Sequence, residues 1–300
     1  NEAPVRERFK ILTLNSVSRL AIIVVFVILG AFYIKTSNYV PFYPKQFHGS
    51  PFGMGGISTA AATVFFAFIG FDALAANSAE TIDPKKNVVR GILETVIIAV
   101  ILYVAFSLVL VGMVHYTDLN VDDPAAYALH TIGLDSWNKL ITIGALFGIF
   151  TAMVTMFFGG SRLVYALGRD GLLSEKMGKI NDKYKVPRNA IVVATIIQAI
   201  FAGLVPLEQL ASLINAGTLL AFACISFGVI PLRRRKDIKN DGFKMPWYPY
   251  LPIAAALMSI YFIIMLPDMT KVSVGIWLVI GLVTYFVYGI RHSKLQQRQK

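Results

Sequence analysis

The stretch Phe65-Phe66-Ala67-Phe68-Ile69-Gly70-Phe71-Asp72 places a carboxylate, that of Asp72, inside an apolar run. The run begins near Gly56 and continues through Ala73, Leu74, Ala75 and Ala76 before polar residues return at Asn77. An ionisable group at that depth in a membrane span is costly and usually faces a cavity or a partner. Gly70, just before it, weakens a helix at the same depth. A broken span with a polar group beside the break is the pattern of a solute-binding site near the bilayer midplane. Four roles for Asp72 are open on this reading. It could touch a substrate amine through water, hold the unwound segment in shape, exchange a proton, or cap the second half-helix as Asp does at helix N-termini.

The other reactive residue types point away from catalysis. His48, His115, His130 and His292 are scattered with no metal-ligand spacing. Cys224 stands alone inside an apolar span, where it reads as a small buried hydrophobe. No nucleophile–base pair, phosphate-binding glycine loop or metal motif occurs. The expectation is a protein that is not an enzyme and needs no cofactor. Arg162, Arg169 and Asp170 read as anchors at a helix end and scaffolding of the following loop.

These residues sit on elements that must cross a bilayer. Hydrophobic residues make up 56% of the chain and charged residues only 15%, against roughly 25% charged in a soluble domain. The apolar residues cluster into eight runs, at residues 16–34, 56–77, 91–115, 140–167, 190–205, 210–232, 250–266 and 272–290. The fold class is therefore an all-α polytopic membrane protein. Pro84 punctuates the polar run after the second span. Asp123-Pro124 in the acidic loop 116–136 predicts a short surface helix, and Pro187 marks the loop before the fifth span.

The net charge of +11 does not signal nucleic acid, because the charge alternates loop by loop. Of 28 Lys and Arg residues, 24 fall on one side of the predicted membrane and only Lys35, Lys45, Lys139 and Lys271 on the other. That asymmetry places the basic side, with both termini, in the cytoplasm, and Arg233-Arg234-Arg235-Lys236 anchors the sixth span at the inner face. The chain opens at Asn1 in a charged segment with no signal peptide, so the expectation is a chain without its upstream spans.

Several stretches, in order along the chain, resemble the amino acid–polyamine–organocation superfamily of amino acid permeases, in its cationic-amino-acid-transporter-like bacterial branch. They are the Thr63–Asp72 segment, Asp83-Pro84-Lys85-Lys86-Asn87, Ser161-Arg162 with Ala166-Leu167-Gly168-Arg169-Asp170-Gly171, Gly217-Thr218-Leu219-Leu220-Ala221-Phe222, and Trp277–Leu282 with Tyr285–Gly289. The resemblance implies secondary active transport of amino acids across the cell membrane by alternating access, with protons as a candidate coupling ion. It implies a fold of two inverted five-span repeats plus two helices, of which this chain carries spans five to twelve. On that comparison residues 1–300 form one transport domain. Residues 1–232 hold the end of the first repeat and all of the second; residues 233–300 hold a loop, two peripheral helices and a cytoplasmic tail.

The resemblance also assigns site residues. Carbonyls near Phe66, Ala67 and Ile69, at the break made with Gly70, would accept hydrogen bonds from a substrate ammonium, and the Phe66 ring would close over the bound amino acid. The bland alternative is a Phe-rich face packed on neighbours, which suits Phe65 and Phe71 better. Tyr103 would direct its hydroxyl at the site, although a mid-membrane tyrosine taken alone is more often a core residue with one hydrogen bond. Arg19 stands where this branch tends to carry a lysine, whose ammonium takes the place of the sodium bound by sodium-coupled relatives. Arginine there would be a permanent cation faced by Thr151; alternatively Arg19 snorkels to the inner interface. Val89, where proline is common, and Lys271, where tryptophan is common, are peripheral departures. The rival readings are a membrane scaffold or regulatory subunit that keeps the fold without turnover, and a membrane-integral enzyme. The charge pattern makes a direct prediction: with Cys224 replaced by Ala, a cysteine at Asn120→Cys labels with a membrane-impermeant thiol reagent in intact cells, whereas Asn240→Cys labels only after permeabilisation.

Overall fold

The computed structural model describes residues 20–42, 53–70, 81, 83–121, 123–181, 186–235, 243 and 245–293. Among these residues the regular structure is helical throughout. In chain order the helices are α1 (Leu20–Ala31), α2 (Gly53–Val64), α3 (Pro84–Met113), α4 (Pro124–Thr131), α5 (Asp135–Arg169), α6 (Arg188–Leu204), α7 (Leu207–Arg234), α8 (Tyr250–Met265) and α9 (Asp268–Thr284). The last continues through a π-helical turn, Tyr285–Gly289, to Ile290–His292.

Four of these helices, α3, α5, α7 and α9 with its continuation, are long and apolar enough to cross a membrane. At about 1.5 Å per residue, the 30 residues of α3 exceed the roughly 30 Å of a hydrocarbon core. Four shorter apolar helices, Leu20–Ala31, Gly53–Phe68, Arg188–Leu204 and Tyr250–Met265, fall where the other four spans are expected. The sequence places the third span at residue 91, but α3 already begins at Pro84. Proline is a breaker inside a helix yet suits its first turn, where its missing N–H would have had no partner. The short helix predicted at Asp123-Pro124 is α4: Asp123 Oδ1 accepts from the N–H of Ala126 at 3.0 Å, and Pro124 takes the first helical position.

The chain divides into two compact units. The first comprises Asn1–Lys45 and Leu93–Val154. Its core is Phe26 of α1, Val109 and Met113 of α3, Val114, Ala128 and Leu129 of α4, and Ile141 of α5. The rings of Phe26 and Phe106 lie 4.6 Å apart. A Cβ on Gly30 would collide with the side chains of Val109 and Met113, so these side chains of α3 pack directly on the backbone of α1. The turn after α1 is tied to the end of α3 by Asn38 Nδ2 donating to Gly112 O and Tyr39 Oη donating to Leu108 O, each at 2.8 Å.

The second unit comprises Gln46–Ile92 and Thr155–Lys300. Here α7 runs along α8, α9 packs on α7, and α2 lies against α8 and α7. Ala62, Ala216, Leu219 and Leu266 form its buried centre, with Phe65, Phe262 and Ile263 packed around it. At the end of α7, the Arg233 guanidinium donates to Phe243 O at 2.8 Å and sits 5.0 Å over the Tyr248 ring. Tyr248 Oη in turn donates to Ile230 O at 3.1 Å.

Where α5 ends, the following 3₁₀ turn Glu175–Gly178 folds back on it in close contact, almost entirely through backbone atoms, with Met177 Cβ the side-chain atom among the nearest. A Cβ on Gly168 would lie 2.6 Å from Gly178 N, and one on Gly178 would lie 2.6 Å from Arg169 N. By contrast Gly159, on the same helix, has nothing within 4 Å. Gly168→Ala is therefore expected to destabilise the protein by about 1–3 kcal/mol through overpacking, whereas Gly159→Ala should be neutral or stabilising by up to about 1 kcal/mol. Thermal unfolding of the two variants in detergent micelles checks the contrast.

Candidate functional site

The site is built where α2 stops. The helix holds α geometry to Val64 (φ −66°, ψ −19°) and then tightens into a 3₁₀ turn over Phe65–Phe68. Ile69 is already extended (φ −64°, ψ 132°), its N–H donating to Phe66 O at 3.2 Å. Gly70 comes next at φ +124°, a conformation that only a residue without Cβ adopts at low cost. The helix thus changes geometry one turn and a half before the glycine that marks the break in the sequence.

Two adjacent phenylalanines divide the work of the turn. Phe65 joins the buried cluster around Ala62, Ala216 and Leu219, its ring edge-on to Phe222 at 6.1 Å. Phe66, one residue on, is 41% exposed. The packing role expected of Phe65 is what the structure displays, and Phe66 and Ala67 are left on the outer side of the turn.

The carbonyls at the end of α2 are met by a side chain that sequence reasoning did not single out. Asn215 of α7 is fully buried. Its Nδ2 donates to Ala62 O at 3.1 Å and to Thr63 O at 2.9 Å. In an unbroken α-helix those carbonyls are the acceptors for the N–H groups of Phe66 and Ala67, the residues at which the helix has changed to 3₁₀ geometry. The two acceptors also fix which end of the amide faces α2. Its Oδ1, though buried, has no hydrogen-bond partner among the described residues. The available signal was an amide in mid-span, in Leu213-Ile214-Asn215-Ala216-Gly217, since polar side chains in membrane helices usually bond across to a neighbour.

The other predicted site residues are divided between the two units. Phe66, Ala67, Ile69 and Gly70 share one turn of the second unit. Tyr103 is half-buried on α3, and Thr151 of α5 donates its hydroxyl to Phe147 O of its own helix at 2.8 Å; both belong to the first unit. Asp72 and Arg19 lie outside the described residues.

The end of a helix carries partial negative charge on its last carbonyls. Such a terminus, beside the exposed face of an aromatic ring, suits a small cation such as an ammonium group. The family can be named: the chain belongs to the amino acid permease family, whose profile matches residues 11–293. It is 40% identical over 279 residues to the methylthioribose transporter of Bacillus subtilis, covering 93% of this chain and 59% of the relative. It is 40% identical over 284 residues to the branched-chain amino acid permease BcaP of Lactococcus lactis, covering 93% and 60%. Similarity extends to a vacuolar cationic amino acid transporter of Arabidopsis thaliana, at 33% identity over 211 residues, 70% of this chain and 33% of the relative. The chain spans about three fifths of the length of the bacterial relatives.

The positive φ gives a direct test of the turn. Among the described residues only Met156 Cε comes within 4 Å of an added Cβ, at 3.8 Å, so the cost expected for Gly70→Ala is that of its own backbone. The substitution is expected to cost about 1–3 kcal/mol from the strained conformation alone, read as a lowered unfolding temperature in detergent.

Proposed function

We propose that this chain is the substrate-binding and gating part of a secondary active amino acid transporter in the cell membrane. The observation that carries the reading is the interruption of an apolar helix at Phe65–Gly70. A span with a purely structural task has little use for a break at membrane depth, where irregular backbone is tolerated only when it is buried in protein or lines a cavity. The substrate ammonium would bind at the helix end around Phe66, Ala67 and Ile69, with the Phe66 ring over it and the backbone bend at Gly70 leaving room for it. The proposed topology is the second half of a five-plus-five inverted-repeat fold with two further helices. Eight spans and cytoplasmic termini are supported by the apolar runs and by the lysine and arginine asymmetry.

Roles for Asp72 and Tyr103 in substrate binding, and for Arg19 and Thr151 at a coupling-ion position, rest on the family resemblance. Exchange or proton symport are the two coupling modes. A neutral side chain is the favoured substrate, since Phe66, Ala67 and Ile69 are apolar and Asp72 is the only carboxylate in the stretch. The name of the Lactococcus relative as a branched-chain amino acid permease supports the same preference.

The test is uptake by the protein as its cell makes it, in proteoliposomes. The panel is labelled branched-chain, small neutral and cationic amino acids, with methylthioribose alongside, each with and without an inward proton gradient. The expected result is saturable uptake of a neutral amino acid, abolished by Asp72→Ala while the amount of folded protein is kept. Uptake that responds to the gradient identifies symport, and uptake that requires internal amino acid identifies exchange. Folded protein that moves none of the amino acids sinks the reading in favour of a scaffold, and transport of methylthioribose alone replaces the substrate class.

A further inference from the structure

We propose that Asn215 is a positioning residue of the solute site: its amide holds the end of α2 in the open-turn form that exposes Phe66 and Ala67. The inference rests on the reading of the break as the solute site. Three observations point to it. Asn215 is fully buried beside the apolar cluster of Ala62, Ala216, Leu219 and Leu266. Its Nδ2 meets Ala62 O and Thr63 O, at 3.1 and 2.9 Å, the two carbonyls that α-helical continuation through Phe66 and Ala67 would occupy. Its Oδ1 is buried without a hydrogen-bond partner among the described residues.

The third observation separates a positioning role from a stabilising one. A buried carboxamide with half of its capacity unmet gives back part of what its two hydrogen bonds contribute, so the arrangement is a poor way to gain stability. It is an effective way to choose between two forms of one segment. With the amide present, the last carbonyls of α2 have donors and the chain is free to leave the helix at Phe65. Without it, those carbonyls are satisfied most readily by the N–H groups of Phe66 and Ala67, which extends α2 and turns Phe66 away from its present place.

The experiment compares N215L, N215D and N215Q in the protein as its cell makes it. N215L keeps approximate volume and removes both donors, N215D keeps shape but loses the N–H pair, and N215Q keeps the donors on a longer stem. Two readouts are taken on folded material. The first is hydrogen–deuterium exchange of peptides covering residues 60–70, where N215L and N215D should change the exchange rates of the Phe65–Gly70 amides at least tenfold. The second is transport kinetics, where the apparent KM for the transported amino acid should rise at least tenfold in both variants, with a smaller change in maximal rate per folded molecule. N215Q should recover part of each effect. Unchanged exchange in N215L overturns the inference whatever transport does. Reduced folded yield with unchanged KM assigns Asn215 a structural role only and also overturns it. If the unmodified protein moves no solute, the transporter reading fails on its own, and the exchange comparison still decides whether Asn215 sets the form of the turn.

Discussion

A helix that stops inside hydrocarbon must hand its last carbonyls to some donor other than water, because each carbonyl left bare there costs several kcal/mol. In this protein the Asn215 carboxamide, reaching from α7, meets Ala62 O and Thr63 O, while the 3₁₀ turn itself supplies the Ile69 N–H to Phe66 O. Much of the second unit is arranged to make that reach possible. Ala62 and Ala216 are both fully or almost fully buried, and small residues at these positions let α2 and α7 approach closely enough for a side chain as short as asparagine to span them. Leu219 and Leu266 close the space around the amide, and α8 braces both helices from one side.

Beyond the stop, the path of the chain is decided by which way two neighbouring rings turn. Phe65 is drawn into the buried cluster and meets Phe222 edge-on, a geometry in which the positive ring edge faces the other ring's negative face. That fixes the turn at one point. Phe66 is therefore directed outward, and Ile69 and Gly70 carry the backbone away in an extended and then a positive-φ conformation. The outcome is a helix terminus of negative partial charge with the partly exposed Phe66 beside it.

Four of the apolar runs in the sequence coincide with helices long and apolar enough to cross a membrane, because hydrocarbon thickness demands long apolar segments. The start of α4 is equally legible, since Asp123-Pro124 combines an N-cap acceptor with a residue that suits the first turn. Two features are harder to read. Pro84 has the sequence character of a stop and is the first residue of α3; proline is compatible with both, and only the residues after it decide. Gly70 is the residue whose type announces the break, whereas the change of geometry begins at Phe65. The cause lies on another helix, 152 residues further along. A pattern read along one segment has no means of reporting an acceptor satisfied by so distant a donor. Tertiary satisfaction of backbone groups is thus the part of a broken helix that local composition hides.

The contact between Gly168 and Gly178 bears on how this protein can vary. Two segments that touch almost entirely through main-chain atoms have little side chain to trade, so a compensating change at either glycine cannot restore the fit once a Cβ is added. Positions joined by side chains can drift together, one shrinking as the other grows; this pair can only stay as it is. The segment between them, by contrast, is held at its ends by backbone and has more liberty in its composition. The bend beyond α5 is therefore a place where the close fit of two glycines, rather than the side chains along it, constrains the path of the chain.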